Sequence, residues 1–277
     1  MKEITKFLKS KDIHLFDIGR EKLSVTNGVE INHYNKDIGY FRSSFIPKHS
    51  WNEIDTEMYN FILSNEKNSC SLKNIVDVLN LELLLKPYLI EFHHSLIRNK
   101  YIDNLSQVEK FVDSKEFNIL TGEINNFIID ELHKNVKRKF LAVNEVNQIT
   151  TTVDYADSKK KVGLHLDNWC KYDFKNRKES PTRICINLGN ESRYLLLYNL
   201  SVLEMYSLLS KNAKKKLTHV SSEIGNFFMK ENSNYPILRI EILPFEGYVA
   251  PTEMIIHDGS TIGQSFIDLC LHYIIDN

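Results

Sequence analysis

Val162-Gly163-Leu164-His165-Leu166-Asp167-Asn168-Trp169 is the stretch on which the reading of this chain turns. Apolar residues run up to His165, and an aspartate follows two positions later. Side chains two apart on a strand share a face, so this imidazole and carboxylate can grip one ion from the same side. A second isolated histidine, His257, stands far downstream. If it joins them, the trio fills one face of an octahedral ion and leaves three positions open. Neutral imidazoles with one carboxylate suit Fe(II), and also Mn(II), Co(II) or Ni(II).

Outward from this stretch the texture is that of strands. Residues 148–155 are rich in threonine and valine. Arg183-Ile184-Cys185-Ile186-Asn187-Leu188 reads as a strand, and Gly189-Asn190-Glu191-Ser192 as a turn. Tyr194-Leu195-Leu196-Leu197-Tyr198-Asn199-Leu200 returns as a second strand. A helical insert at 201–230 follows, with Lys211-Asn212-Ala213-Lys214-Lys215-Lys216 as a solvated turn or helix end, or else a mobile lid. Ile237-Leu238-Arg239-Ile240-Glu241-Ile242 and Gly247-Tyr248-Val249-Ala250 then resume the strands. Short strands with close turns predict a sandwich or barrel.

The N-terminal part reads differently. Asn27-Gly28 between Leu23-Ser24-Val25-Thr26 and Val29-Glu30-Ile31 predicts a hairpin. Residues 50–104 read as three helices, the first two capped by Ser50 and Ser71 and the third over 81–98. A short strand at 99–102 would complete a winged-helix-like unit. A plain helical layer packed on the rest of the chain is the simpler form of the same pattern. His93 and His94 point about 100° apart on the third helix, a poor chelate, so packing or surface roles are expected. Residues 106–140 predict a helix pair whose Lys134, Lys137, Arg138 and Lys139 complement the dipole at its end. The expected division is 1–105 and 106–277.

Composition narrows the classes. The chain has 277 residues with a formal net charge of −1, which disfavours a globally basic nucleic-acid binder. No signal peptide or membrane span is expected. Cys70, Cys170, Cys185 and Cys270 form no CxxC pair, so reduced thiols in a cytoplasmic protein are expected. GxGxxG, Walker, GxSxG and HExxH motifs are absent from the sequence.

The approach to His257 is Leu243-Pro244-Phe245-Glu246-Gly247-Tyr248-Val249-Ala250-Pro251-Thr252-Glu253-Met254-Ile255-Ile256-His257-Asp258-Gly259. A proline turn, a short strand, a second proline and an apolar run into histidine resemble the distal-histidine region of Fe(II)/2-oxoglutarate-dependent oxygenases. The likeness is to their cupin-like branch, which includes the JmjC-type hydroxylases, and covers roughly residues 141–270. It implies an α+β protein with a double-stranded β-helix (jelly-roll, cupin-like) catalytic domain behind a mostly helical N-terminal part. It implies His165, Asp167 and His257 as iron ligands, with 2-oxoglutarate and O2 as cosubstrates. It also implies hydroxylation of an amino acid, peptide or small-molecule natural-product intermediate, with release of succinate and CO2. A carboxylate at 167 leaves no ligand position for a halide, so hydroxylation is expected over halogenation.

The family's cosubstrate needs a cation for its distal carboxylate. Residues 258–277 contain no lysine or arginine, a departure from members that place one after the distal histidine. The resemblance therefore moves the anchor to Arg193, then Arg183, then Arg239. Ser260, Thr261 or a hydroxyl among Thr150, Thr151 and Thr152 would add a hydrogen bond, and Trp169 would line the substrate entrance. The alternative is a non-catalytic cupin-type binding or regulatory protein whose winged helix reads nucleic acid.

Overall fold

The computed structural model describes residues 8–16, 18–32, 39–41, 43–48, 50–63, 72–100, 103–154, 160–217 and 223–276. Cys70, Ser71, Tyr101 and Ile102 lie outside the described residues. The chain first lays down β1 (His14–Phe16), β2 (Leu23–Thr26), β3 (Val29–Ile31), β4 (Phe45–Pro47) and β5 (Asn52–Glu53). Next come α1 (Thr56–Ile62), β6 (Ile75–Asn80), α2 (Glu82–Arg98), α3 (Asn104–Val112) and α4 (Lys115–Asp130). Then follow β7 (Val136–Asn144), β8 (Val153–Asp154), β9 (Lys160–Lys161), β10 (Thr182–Asn187) and β11 (Arg193–Leu197). The insert is α5 (Val202–Leu208), α6 (Lys211–Lys216) and α7 (Glu223–Glu231). The chain closes with β12 (Ile237–Ile242), β13 (Glu246–Ala250), β14 (His257–Ser260) and β15 (Asp268–Ile275).

The fold is α+β, built on two main sheets. One has the order β1-β6-β13-β10-β15-β7, the other β14-β11-β12-β2-β5. Every pairing in them is antiparallel except β1 with β6. Alternation decides which face goes where. Cys185, Tyr248, Ala250 and Cys270 of the larger sheet meet Leu195, Leu197, Leu238, Ile240 and Ile242 of the smaller in one core. Ile184, Ile186, Val249, Leu269, Leu271 and Tyr273 point the other way, onto α2 and α4. The helices answer with Leu85, Leu89, Phe92 and Leu96 on α2 and Leu120, Ile124 and Ile128 on α4, spaced three or four apart. Each such side chain contributes roughly 1.5–3 kcal/mol by leaving water. No helix among the described residues is long and apolar enough to cross a membrane.

Several expectations for the first 144 residues change. The stretch expected as a second helix is the strand β6, because Ile75, Val76 and Val78 are β-branched and the slot between β1 and β13 buries Ile75 and Val76. Residues 50–104 are therefore not three helices in a row. The first helix starts at Thr56 and is capped by Asp55 rather than Ser50. From the expected first part, β1, β2, β5 and β6 all enter sheets that also hold strands from after residue 105.

The expected hairpin also parts. β2 pairs with β12 and β5, whereas β3 pairs with β4. Gly28, at φ +93°, lets the chain turn away here, and a Cβ on it would lie 2.0 Å from the Ser233 carbonyl oxygen. Lys137, Arg138 and Lys139 do not end a helix. They lie on β7, the outer strand of its sheet, where cations discourage pairing with another chain. His93 packs as expected, buried with its Nε2 2.9 Å from the Leu188 carbonyl.

Candidate metal centre

Gly163 starts the site. At φ +78° it turns the chain against β4, so that the Leu164 N–H donates to the Phe45 carbonyl at 2.9 Å. Leu164 and Leu166 then drop into the core and leave His165 on the opposite face. His165 and His257 exchange backbone hydrogen bonds of 3.1 and 2.9 Å, which places the two imidazoles side by side with ring centres 4.9 Å apart. The Asp167 N–H donates to Thr252 at 3.2 Å, which brings the carboxylate to the same point.

The three side chains converge. His165 Nε2 is 3.5 Å from Asp167 Oδ1, and His257 Nε2 is 3.6 Å from Asp167 Oδ2. One ligand atom from each lies within 4.8 Å of the others. Each imidazole is oriented through its other nitrogen. His165 Nδ1 donates to the Gly163 carbonyl at 2.8 Å, and His257 Nδ1 to the Ile255 carbonyl at 3.2 Å. A carbonyl can only accept, so both Nε2 atoms are turned to the shared point, as metal-ligating histidines require.

The electrostatics couple the two imidazoles to the acidic groups around them. Burial opposes the charged form of His165, but Asp167 and Asp258 outweigh it and push the imidazole up to about 10. Burial drives His257 down to about 4 despite Asp167, with His165 and Arg183 adding to the fall. Asp167 also resists burial: Arg183, His257 and His165 hold its carboxyl well below the usual carboxylate range. Arg183 Nη2 touches Asp167 Oδ2 at 2.7 Å.

Two supports were not visible in the sequence. Asp258, expected only in a turn, accepts from Thr152 N and Oγ1 at 3.1 and 3.0 Å and sets Oδ2 3.6 Å behind His165 Nδ1. Arg177, fully buried, donates to the carbonyls of Asp167 and Glu253 and to Asn168 Oδ1. It thereby ties the loop carrying Asp167 to the loop before His257. An isolated arginine in a polar stretch gives no signal of this.

The three candidate anchors fall in three different places. Arg193 lies inside, on the face of β11 that Leu197 shares with its partner His257. It pairs with buried Asp268 at 3.0 Å and donates to Cys270 Sγ at 2.5 Å. Gly259, two positions beyond His257 on the same face, lets the Thr151 hydroxyl and the Arg193 guanidinium pack close against the backbone there. A Cβ on it would sit 2.7 Å from Thr151 Oγ1 and 2.8 Å from Arg193 Nη2. Arg183 is committed to Asp167. Arg239 lies on the opposite face of its sheet, bonded to Ser24 Oγ at 2.8 Å and stacked between Trp51 and Tyr194. Ser260 and Thr261 spend their hydroxyls on the backbone carbonyls of Gln148 and Glu145.

Two features border the centre. Trp169 is 49% exposed, and the guanidinium groups of Arg138 and Arg183 lie 5.1 and 5.6 Å from its ring centre. A cleft of about 260 Å³ reaches His165 between Phe41, Phe45, Glu223 and Asn226. No protein-family model matches this chain and no curated protein matches its sequence, so what the centre can do follows from its own residues.

Proposed function

We propose that this chain is an Fe(II)- and 2-oxoglutarate-dependent oxygenase that hydroxylates an amino acid, a peptide or a small natural-product intermediate. The observation that carries the reading is the convergence of His165 Nε2, His257 Nε2 and the Asp167 carboxylate, with each imidazole fixed from behind. Two nitrogens and one carboxylate on one side fit Fe(II) and leave the opposite side free. The sheet order supports a double-stranded β-helix. The run β7-β15-β10-β13 in one sheet faces the His165 bridge and β14-β11-β12 in the other, and the chain crosses between them.

Bound there, Fe(II) with 2-oxoglutarate and O2 would supply the oxidising power, the cosubstrate leaving as succinate and CO2. The protein's own part is positioning. Arg183 balances Asp167 and keeps it ionised. Leu166, Ile255 and Ile256 exclude water from around the ligands. Arg193 Nη2 and the Thr151 hydroxyl beside Gly259 offer a cation and a hydrogen bond for a distal carboxylate. The cleft beside His165 has room for a side chain or small molecule. The alternative is a non-catalytic cupin-type binding or regulatory protein; only its winged-helix part loses support, because the expected second helix is β6 of the main sheet.

The test is succinate formation from 2-oxoglutarate with Fe(II) and ascorbate, with His165→Ala as control. Turnover abolished by the substitution is the expected result; a wild-type protein that neither binds Fe(II) nor forms succinate would sink the reading. Gly259→Ala probes the anchor separately. Its methyl would push Arg193 and the Thr151 hydroxyl out of place, so the 2-oxoglutarate requirement is expected to rise tenfold or more while Fe(II) affinity holds. An unchanged requirement would remove Arg193 and Thr151 from that role.

A further inference from the structure

A second group of metal-ligating side chains lies on the inner wall of the larger sheet, outside the triad. Cys185 on β10 faces His272 on β15 in direct register, and Cys270 lies two positions along the same strand. Cys185 Sγ is 3.1 Å from His272 Nδ1, and ligand atoms of all three residues lie within 4.8 Å of one another. Both sulfurs are buried and neither is in a disulfide. We propose that Cys185, Cys270 and His272 form a second metal site, for a borderline-soft divalent ion of the Zn(II) class.

Geometry decides between a metal and a disulfide. Cys185 and Cys270 are diagonal neighbours across an antiparallel pair, where the separation is about 7–8 Å between Cα atoms. A disulfide needs Cβ atoms about 3.8 Å apart, so it would have to drag two central strands together. A tetrahedral ion with bonds of about 2.3 Å to sulfur and 2.0–2.1 Å to nitrogen places those atoms roughly 3.6 Å apart. The Cys185–His272 pair is within about half an ångström of that spacing, which side-chain rotation supplies.

Two arginines lie beside the sulfurs, and a cation near a thiol favours the thiolate that a metal needs. Arg193 donates to Cys270 Sγ, and Arg183 lies two positions from Cys185 on the same face. His272 stacks on half-buried Phe140 at 4.6 Å, 3° from parallel, on the side toward Trp169. Three protein ligands leave one tetrahedral position for water or another small ligand. Soft sulfur separates this site from the triad, whose nitrogen and oxygen donors suit harder ions.

The site does not depend on the oxygenase reading, and one titration tests it alone. Chelator-treated full-length protein is titrated anaerobically with Co(II) and followed by absorption. The expected result is a thiolate-to-cobalt charge-transfer band in the near ultraviolet, removed by one equivalent of Zn(II). It should persist in His165→Ala and disappear in Cys185→Ser and His272→Gln, with circular dichroism confirming their fold. Absence of the band in folded wild-type protein overturns the proposal, as does its survival in folded Cys185→Ser.

Discussion

Replacing Arg183 with methionine is expected to destabilise the metal-free protein by about 3–5 kcal/mol, the cost of stranding one member of a buried ion pair. Asp167 and Arg183 are both buried and meet at 2.7 Å, so removing the guanidinium leaves the carboxylate with the titratable His165 imidazolium at 3.5 Å as its remaining positive partner. A divalent ion at the triad would replace that charge. Urea denaturation with and without Mn(II), which is redox-silent here, separates the cases. The loss should at least halve when the metal is bound. Arg183→Met combined with Asp167→Asn should recover most of it in the metal-free state, because the stranded charge is gone. An equal loss with and without metal would mean that Arg183 acts through packing, for instance against Trp169.

Metal uptake is expected to strengthen about tenfold for each unit of rising pH between about 6.5 and 9. The reason is the asymmetry of the two imidazoles. With His165 pushed up to about 10 and His257 down to about 4, the metal-free protein holds a proton on the first and none on the second across this range. A ligand must be neutral to bind, so each ion displaces one proton. The folded value of His165 lies above its unfolded value of about 6.5. Its contribution to metal-free stability is therefore full below about 6.5 and is lost as pH rises through 10. Calorimetry at pH 7.5 in buffers of different ionisation enthalpy counts the protons released. A count near zero would show that His165 is already neutral.

The sequence was most informative where one residue's neighbours determine its surroundings. β10, β11, β12 and β13 alternate or run apolar between turn residues, and they form within three residues of where they read. His165 and Asp167 could be paired because a two-residue spacing fixes a shared face, and His257 because an apolar run leads into it. Periodicity reports which side of a segment is buried, not what buries it. Residues 75–80 carry apolar side chains that a helix or a strand could use, and only the slot between β1 and β13 selects the strand. The same limit hid Asp258 behind His165, Arg177 across two loops, and the approach of Cys185 to Cys270 and His272. Each is a meeting of segments far apart in the chain.

The placement of β2 has a consequence for how this molecule is made. Leu23–Thr26 pairs with Ile237–Ile240, so a strand synthesised near the start waits for one near the end. At 5–20 residues per second that interval is roughly 10–40 s on the ribosome. β1 and β6 can meet early, but their other neighbour, β13, is also late. For that time the first strands present unpaired edges, and nearly the whole chain must emerge before either sheet has its full set of strands. A chain cut short before β12 and β13 would release the first strands without the partners that bury them.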